Sequence, residues 1–119
     1  MNFNVIHTMP EEMEDMYPLL QDKKGYYIML LDKVYIFIGA GIKPKEGYQI
    51  AVSKVVLENN SLLVDVTETA PEGGKLYKPN PSYPYTVLAF DVSKSDFADI
   101  RSTIVRNTKT LKTYDLITI

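Results

Sequence analysis

The chain of 119 residues has no cysteine and one histidine, His7. Thiol redox chemistry and thiolate metal sites are therefore excluded, and an imidazole metal site lacks its second ligand. A Ser-His-Asp arrangement would have to draw on His7 with Ser53, Ser61 or Ser82, and none of these serines stands in a nucleophile-elbow motif. A basic excess is missing as well: 13 Lys and Arg face 15 Asp and Glu, a net charge of −2. Nucleic acid and anionic membrane both call for a basic face, so neither is expected as a partner. No apolar run approaches the ~20 residues of a membrane span. Residues 1–10 lack the charged start and apolar middle of a secretory leader. The chain is thus read either as cytoplasmic or as exported behind a leader already trimmed. The absence of cysteine does not choose between these, because a domain of this size buries enough surface to fold without disulfides.

The residues present describe one ordinary globular domain, 45% apolar and 24% charged. Its organising stretch is Tyr48 to Glu68. Leu62, Val64 and Val66 share one parity and Leu63, Asp65 and Thr67 the other, as in a half-buried strand. Asn59 and Asn60 suit the positive φ angles of a tight hairpin turn. In the preceding run, Ile50 and Val52 share a parity but Val55 and Leu57 have the opposite one, so a bulge near Ser53 and Lys54 is expected to restore the phase. This hairpin is expected to form the centre of a sheet.

Around it, Phe3, Val5 and Ile6 suggest a short edge strand or an apolar arm. Thr8, Pro10 and Glu11 have the form of a capping box, and Met9, Met13, Met16 and Leu20 follow at helical spacing. A helix is expected at 9–17, reaching at most Leu20, because Pro18 removes the bond to the carbonyl of Glu14. Its methionine stripe reads as a face packed on a sheet. Residues 21–25 are a polar linker. Residues 26–31 and 34–38, joined at Asp32 and Lys33, form a second hairpin whose strands are apolar on both parities and covered on both faces. Residues 85–92 form a further strand. The tail is read as one helical turn at 96–100 followed by a terminal hairpin of 102–107 and 111–119. These elements predict a mainly β fold, with α+β as its variant: an antiparallel sandwich or partly closed barrel of six to eight strands carrying one N-terminal helix.

Two irregular segments remain. Residues 39–48 hold three Gly and one Pro, and residues 70–84 hold four Pro and two Gly. If neighbouring strands are antiparallel, both segments leave from the same end of the sheet and lie side by side. They would then gather Lys43, Lys45, Tyr48, Lys75, Tyr77, Lys78, Tyr83 and Tyr85 into one rim. Tyrosine offers rigid contact area with a polar tip, and lysine suits an acidic partner surface. The competing expectation is that the rings pack under their own loops while the lysines are simply solvated. Asp65 and Glu68 should point to opposite faces and form no acid–base pair. Gly39 and Gly41 follow a strand without the helix and third glycine of a dinucleotide site, and Gly73-Gly74-Lys75 lacks the frame of a P-loop.

The same segments carry a resemblance. Residues 35–50, Leu62 to Val66, Ala70-Pro71 and residues 83–87 are similar to the C-terminal domain of the PrcB family, accessory subunits of a bacterial protease complex. Gly41, Lys43, Pro44, Gly47 and Tyr48 match one family motif, and Tyr83, Pro84 and Tyr85 match the other. Lys45 and Glu46 stand where the family has Thr and Gly. The resemblance spans about 10–92 of the single domain 1–119 and leaves 93–119 as an extension. It implies a non-enzymatic accessory or stabilising module of an extracytoplasmic protease complex, in a family whose members are mostly exported or lipid-anchored. Partner-binding residues would be Lys43, Pro44, Gly47, Tyr48, Tyr77, Lys78, Tyr83 and Tyr85, with no cofactor. Insertion of the two loops into a protease cleft, hence inhibition, is a variant of this reading. The alternative is a small-ligand or peptide-binding domain with an apolar site between helix and sheet. The sequence sets no oligomeric state.

Overall fold

A computed structural model describes residues 3–73 and 76–119. Among these, seven strands form two sheets with no closed barrel. One sheet has the order β1 (Phe3–Ile6), β6 (Tyr85–Phe90), β3 (Val34–Ala40), β2 (Lys24–Leu30); the other has the order β4 (Gln49–Glu58), β5 (Ser61–Thr69), β7 (Ser102–Asn107). The helix α1 (Glu11–Leu20) covers the outer face of the four-stranded sheet, and a single turn, α2 (Lys94–Phe97), joins β6 to β7.

Alternation on the strands builds two cores. Val34, Ile36 and Ile38 of β3, Leu88 and Phe90 of β6, and Leu62, Val64 and Val66 of β5 meet between the sheets and are buried. The opposite parity, Phe37 and Val87, meets Met13 and Leu20 of α1, all at 0–1% exposure. The methionine stripe is therefore packing surface, and the strand β3 is covered on both faces. Val34, Ile36, Phe37, Ile38 and Ala40 of β3 are all buried, and each contributes at about 25 cal/mol per Å² of apolar area removed from water.

The central hairpin forms with its turn at Asn59 (φ 50°) and Asn60 (φ 64°) and its register shift between Val52 and Lys54. The Ser53 hydroxyl donates to the Asp65 carbonyl at 3.1 Å, satisfying a group at the bulge. The hairpin is not the middle of a sheet, however. Only β5 is central, and β4 is an edge.

One helix-terminus expectation is corrected. No side chain caps α1; Pro10 is the N-cap, and its carbonyl accepts from Met13 and Glu14 at 3.0 and 2.9 Å. The helix passes through Pro18 to Leu20, the furthest end expected for it. Glu14, whose carbonyl loses its partner, lies on the exposed face, while Leu20 is fully buried and holds the last turn to the sheet.

The terminal hairpin does not form. β7 pairs with β5 in parallel, because the chain reaches it from the far end of β6 through α2. The Asn107 side chain then closes a turn, accepting from the amides of Lys109 and Thr110, and a single bridge joins Arg106 to Thr113. Beyond it the chain crosses to the other sheet, where Tyr26 donates to Asp115 and Ile117 donates to Tyr26. Tyr114 enters the core between the sheets and Ile117 the core under α1, so opposite parities are each used. Gly25 makes this crossing possible: a Cβ there would stand 2.5 Å from the Asp115 carbonyl oxygen. The tail therefore ties β2 to β7 and closes one side of the sandwich.

Candidate functional site: the paired loops

The strands β3, β4, β5 and β6 all start or end at one end of the sandwich, which brings segments 41–48 and 70–84 together. They are joined by backbone. Lys43 and Ser82 exchange both hydrogen bonds, at 2.8 and 3.1 Å; the Glu46 amide donates to Lys78 and the Ser82 hydroxyl to Lys45. Gly41 (φ 78°) and Gly47 (φ 99°) supply left-handed backbone. At Gly47 the requirement is double, since a Cβ would lie 2.6 Å from the Tyr77 ring.

The individual side chains separate into three groups. Lys43 turns inward: its Nζ is 3.2 Å from Glu68 Oε1 and 5.7 Å from the Tyr48 ring centroid. Tyr77 packs against Gly47, beneath the first loop. Tyr85 faces α1, stacked on Phe37 at 5.5 Å and tilted against Tyr17 at 5.3 Å. These three are anchors. Pro44, Lys45 and Lys78 are exposed, as is Tyr85 at 39% despite its ring contacts, and Tyr48 and Tyr83 are half-buried. Lys75 lies outside the described residues.

The polar centre of this end is Glu68, which sequence reasoning weighed only as an acid–base partner of Asp65. Its carboxylate accepts from the Tyr114 hydroxyl and from Asn107 Nδ2 (3.5 Å), and it pairs with Lys43 and with Lys24 (3.6 Å). The Lys109 ammonium also donates to its carbonyl at 3.1 Å. Burial raises the carboxyl pKa, but the bonds from Tyr114 and Lys43 and the charges of Lys43 and Lys24 outweigh it, so the net shift is downward. Burial, then the bond to Glu68, pushes the Tyr114 phenol well above its ordinary range. A signal existed in the sequence. Glu68 continues the inward parity of Leu62, Val64 and Val66, where a charge requires partners. Asp65, of the other parity, instead meets Arg106 at 3.1 Å.

On the helix side, Tyr17 joins the cluster. Burial, followed by Tyr85 and Tyr83, raises its phenol pKa. A hollow of about 460 Å³ opens there between His7, Thr8, Met9, Glu14, Tyr17 and Tyr85. Among the described residues no group of three or more His, Cys, Asp or Glu side chains could hold a metal, and no helix is long and apolar enough to cross a membrane.

Comparison with known families bears directly on this end. Residues 34–91 match the PrcB C-terminal family. Curated proteins and solved structures give no match. The PrcB-like segment runs from β3 through both loops and the β4–β5 hairpin to the end of β6, so it holds two strands of each sheet and both paired loops, while the Glu68 partners Lys24, Asn107 and Tyr114 lie outside it. It begins later than the resemblance at about residue 10 suggested, leaving α1 and β2 outside. The departures from the family motif, Lys45 and Glu46, fall in the loop where backbone bonds to Ser82 and Lys78 hold the turn.

Proposed function

We propose that this domain is a non-enzymatic accessory module that binds a protein partner, a protease or its complex outside the cytoplasm, through the paired loops. The observation that carries this reading is the two-way backbone bridge between Lys43 and Ser82 within a segment matched by the PrcB C-terminal family. That bridge fixes two otherwise irregular loops as one surface before any partner arrives, which lowers the ordering cost of binding. On this surface Lys43, Gly47, Tyr77 and Tyr85 hold the shape. Pro44, Lys45, Tyr48, Lys78 and Tyr83 make the contact, with Lys45 and Lys78 facing acidic groups of the partner.

The test is affinity capture with the immobilised domain from separate cytoplasmic and extracellular fractions of the source organism. Lys45→Glu/Lys78→Glu serves as the matched control. Recovery of a protease or its complex by the unaltered domain, reduced at least tenfold by the double charge reversal, supports the reading. Equal recovery by both forms refutes the loop surface. Small-ligand binding between helix and sheet has less in its favour, because Met13 and Leu20 are fully buried and, among the described residues, only the hollow beside Tyr17 and Tyr85 is open there.

A further inference from the structure

One side of the sandwich is closed by the tail; the other lacks a strand. The four-stranded sheet faces a sheet of three, and both β1 and β4 are edges on the side away from the tail. Phe3 and Val5 of β1 stand opposite Phe90 and Leu88, whose side chains point into the core between the sheets. Directly opposed residues of an antiparallel pair share a face, so Phe3 and Val5 also point inward. Yet they are 39% and 42% exposed, whereas Phe90 and Leu88 are fully buried. β1 overhangs β4, and nothing in the described chain lies beneath it. A groove of about 310 Å³ opens at the loop end of this gap, walled by Val5, Ile6, Tyr85 and Thr86 on one side and by Ile50, Ala51 and Val52 on the other, while the gap beside Val55 and Leu57 lies toward the opposite end.

The edge beneath the overhang can accept a strand. A two-residue turn is closed by a hydrogen-bonded pair, here Glu58 with Ser61. Alternation from that pair leaves the backbone N–H and C=O of Val55 and Leu57 directed away from β5. Their side chains face the core side, and Leu57 is 45% exposed. On the outer face a charge row crosses the sheet: Arg106, then Asp65, then Lys54. Arg106 and Asp65 are paired, which leaves the positive end of the row at the open edge.

We propose that the β4 edge roofed by β1 is a strand-addition site for an extended segment of a partner protein. That segment sets alternate apolar residues against Phe3, Val5 and Leu57, and an acidic residue beside Lys54. A second copy of the chain does not fit. Antiparallel pairing of two β4 edges requires a two-fold axis perpendicular to the sheet. That axis would bring the copy's own four-stranded sheet over the same face, onto the place that β1 occupies. A single extended segment adds a strand without a second sheet, and both its backbone and its apolar face find partners. The site is separate from the paired loops, and either surface can fail without the other.

The experiment uses the isotope-labelled full chain and fluorescein-labelled octapeptides that alternate valine with threonine, one threonine being replaced by glutamate or by lysine, together with a scrambled peptide of the same composition. The expected result is amide shifts concentrated at residues 54–58 and 3–6, and affinity three- to tenfold higher for the glutamate than for the lysine peptide. Lys54→Glu should reverse that preference, and Val55→Pro, at an outward-facing amide, should abolish binding while the spectrum stays folded. Failure of all alternating peptides to bind, equal binding by the scrambled one, or shifts confined to the 41–48 and 76–84 loops would overturn the proposal. A Lys54→Glu variant with unchanged preference would overturn the acidic requirement. Dimerisation of the chain through β4, read by sedimentation and abolished by Val55→Pro, would replace the peptide with a second copy.

Discussion

Replacing Glu68 by Gln tests whether its ion pairs hold the paired loops to the body of the domain. The substitution keeps the shape and one acceptor oxygen for Tyr114, and removes the charge. The Tyr114 bond then changes from charge-assisted to neutral, and the ion pair with Lys43, whose side chain is 22% exposed, is lost because the amide nitrogen faces the ammonium. The Lys24 contact adds little, since that side chain is 61% exposed. A hydrogen bond to a charged group contributes about 1.5–3 kcal/mol and a neutral one about 0.5–1.5, and removing a partly buried charge returns some desolvation. The expected net loss at pH 7 is about 1–2 kcal/mol, a fall of about 1 M in the urea midpoint for a domain of this size. The sign with pH follows from the lowered carboxyl pKa. Stability from the charge is fully present above the ordinary value of 4.5 and is lost as pH falls through the lower folded value. The gap between the two proteins should therefore be full at pH 7, begin to close below about pH 4.5, and vanish once Glu68 is protonated in both states. Urea unfolding at several pH values measures it. A variant as stable as the parent at pH 7, or a gap of constant size into acid, would refute the reasoning.

Three further outcomes follow from the same structure. Gly47→Ala combines φ 99° with a Cβ 2.6 Å from the Tyr77 ring and should cost about 2 kcal/mol or more in thermal or urea unfolding, with chemical-shift changes spreading to residues 76–78. Asn60→Val places a β-branched residue at φ 64° and should cost about 1–2 kcal/mol while leaving the β4–β5 register unchanged by amide NMR. Truncation after Thr113 removes Tyr114 and Ile117, 6% and 7% exposed, and should cost about 3–6 kcal/mol by area, enough to unfold much of the population at 37 °C by circular dichroism.

The hairpin of β4 and β5 was legible because its signals are local. Asn59 and Asn60 report positive φ, and the phase slip at Ser53 reports the bulge, without reference to the rest of the chain. The adjacency of the loops was legible for a similar reason: it needs only strand directions. The tail was not, because residues 102–119 alternate well enough for a hairpin. Their true partners, β5 and β2, are set by where α2 delivers the chain. The rim was half legible. Loop position placed Lys43 and Tyr85 near Tyr48 and Tyr83, but their side chains are directed by Glu68 and Phe37, residues distant in sequence. Glu68 itself stood in view as the one charge on the inward parity of its strand.

The most direct test of the proposed role is amide hydrogen exchange of the domain alone and bound to the protein complex it captures. The account predicts slowed exchange in segments 42–48 and 76–84, with the amides of α1 unchanged. Unchanged exchange in both loops, with protection elsewhere on the domain, would contradict it.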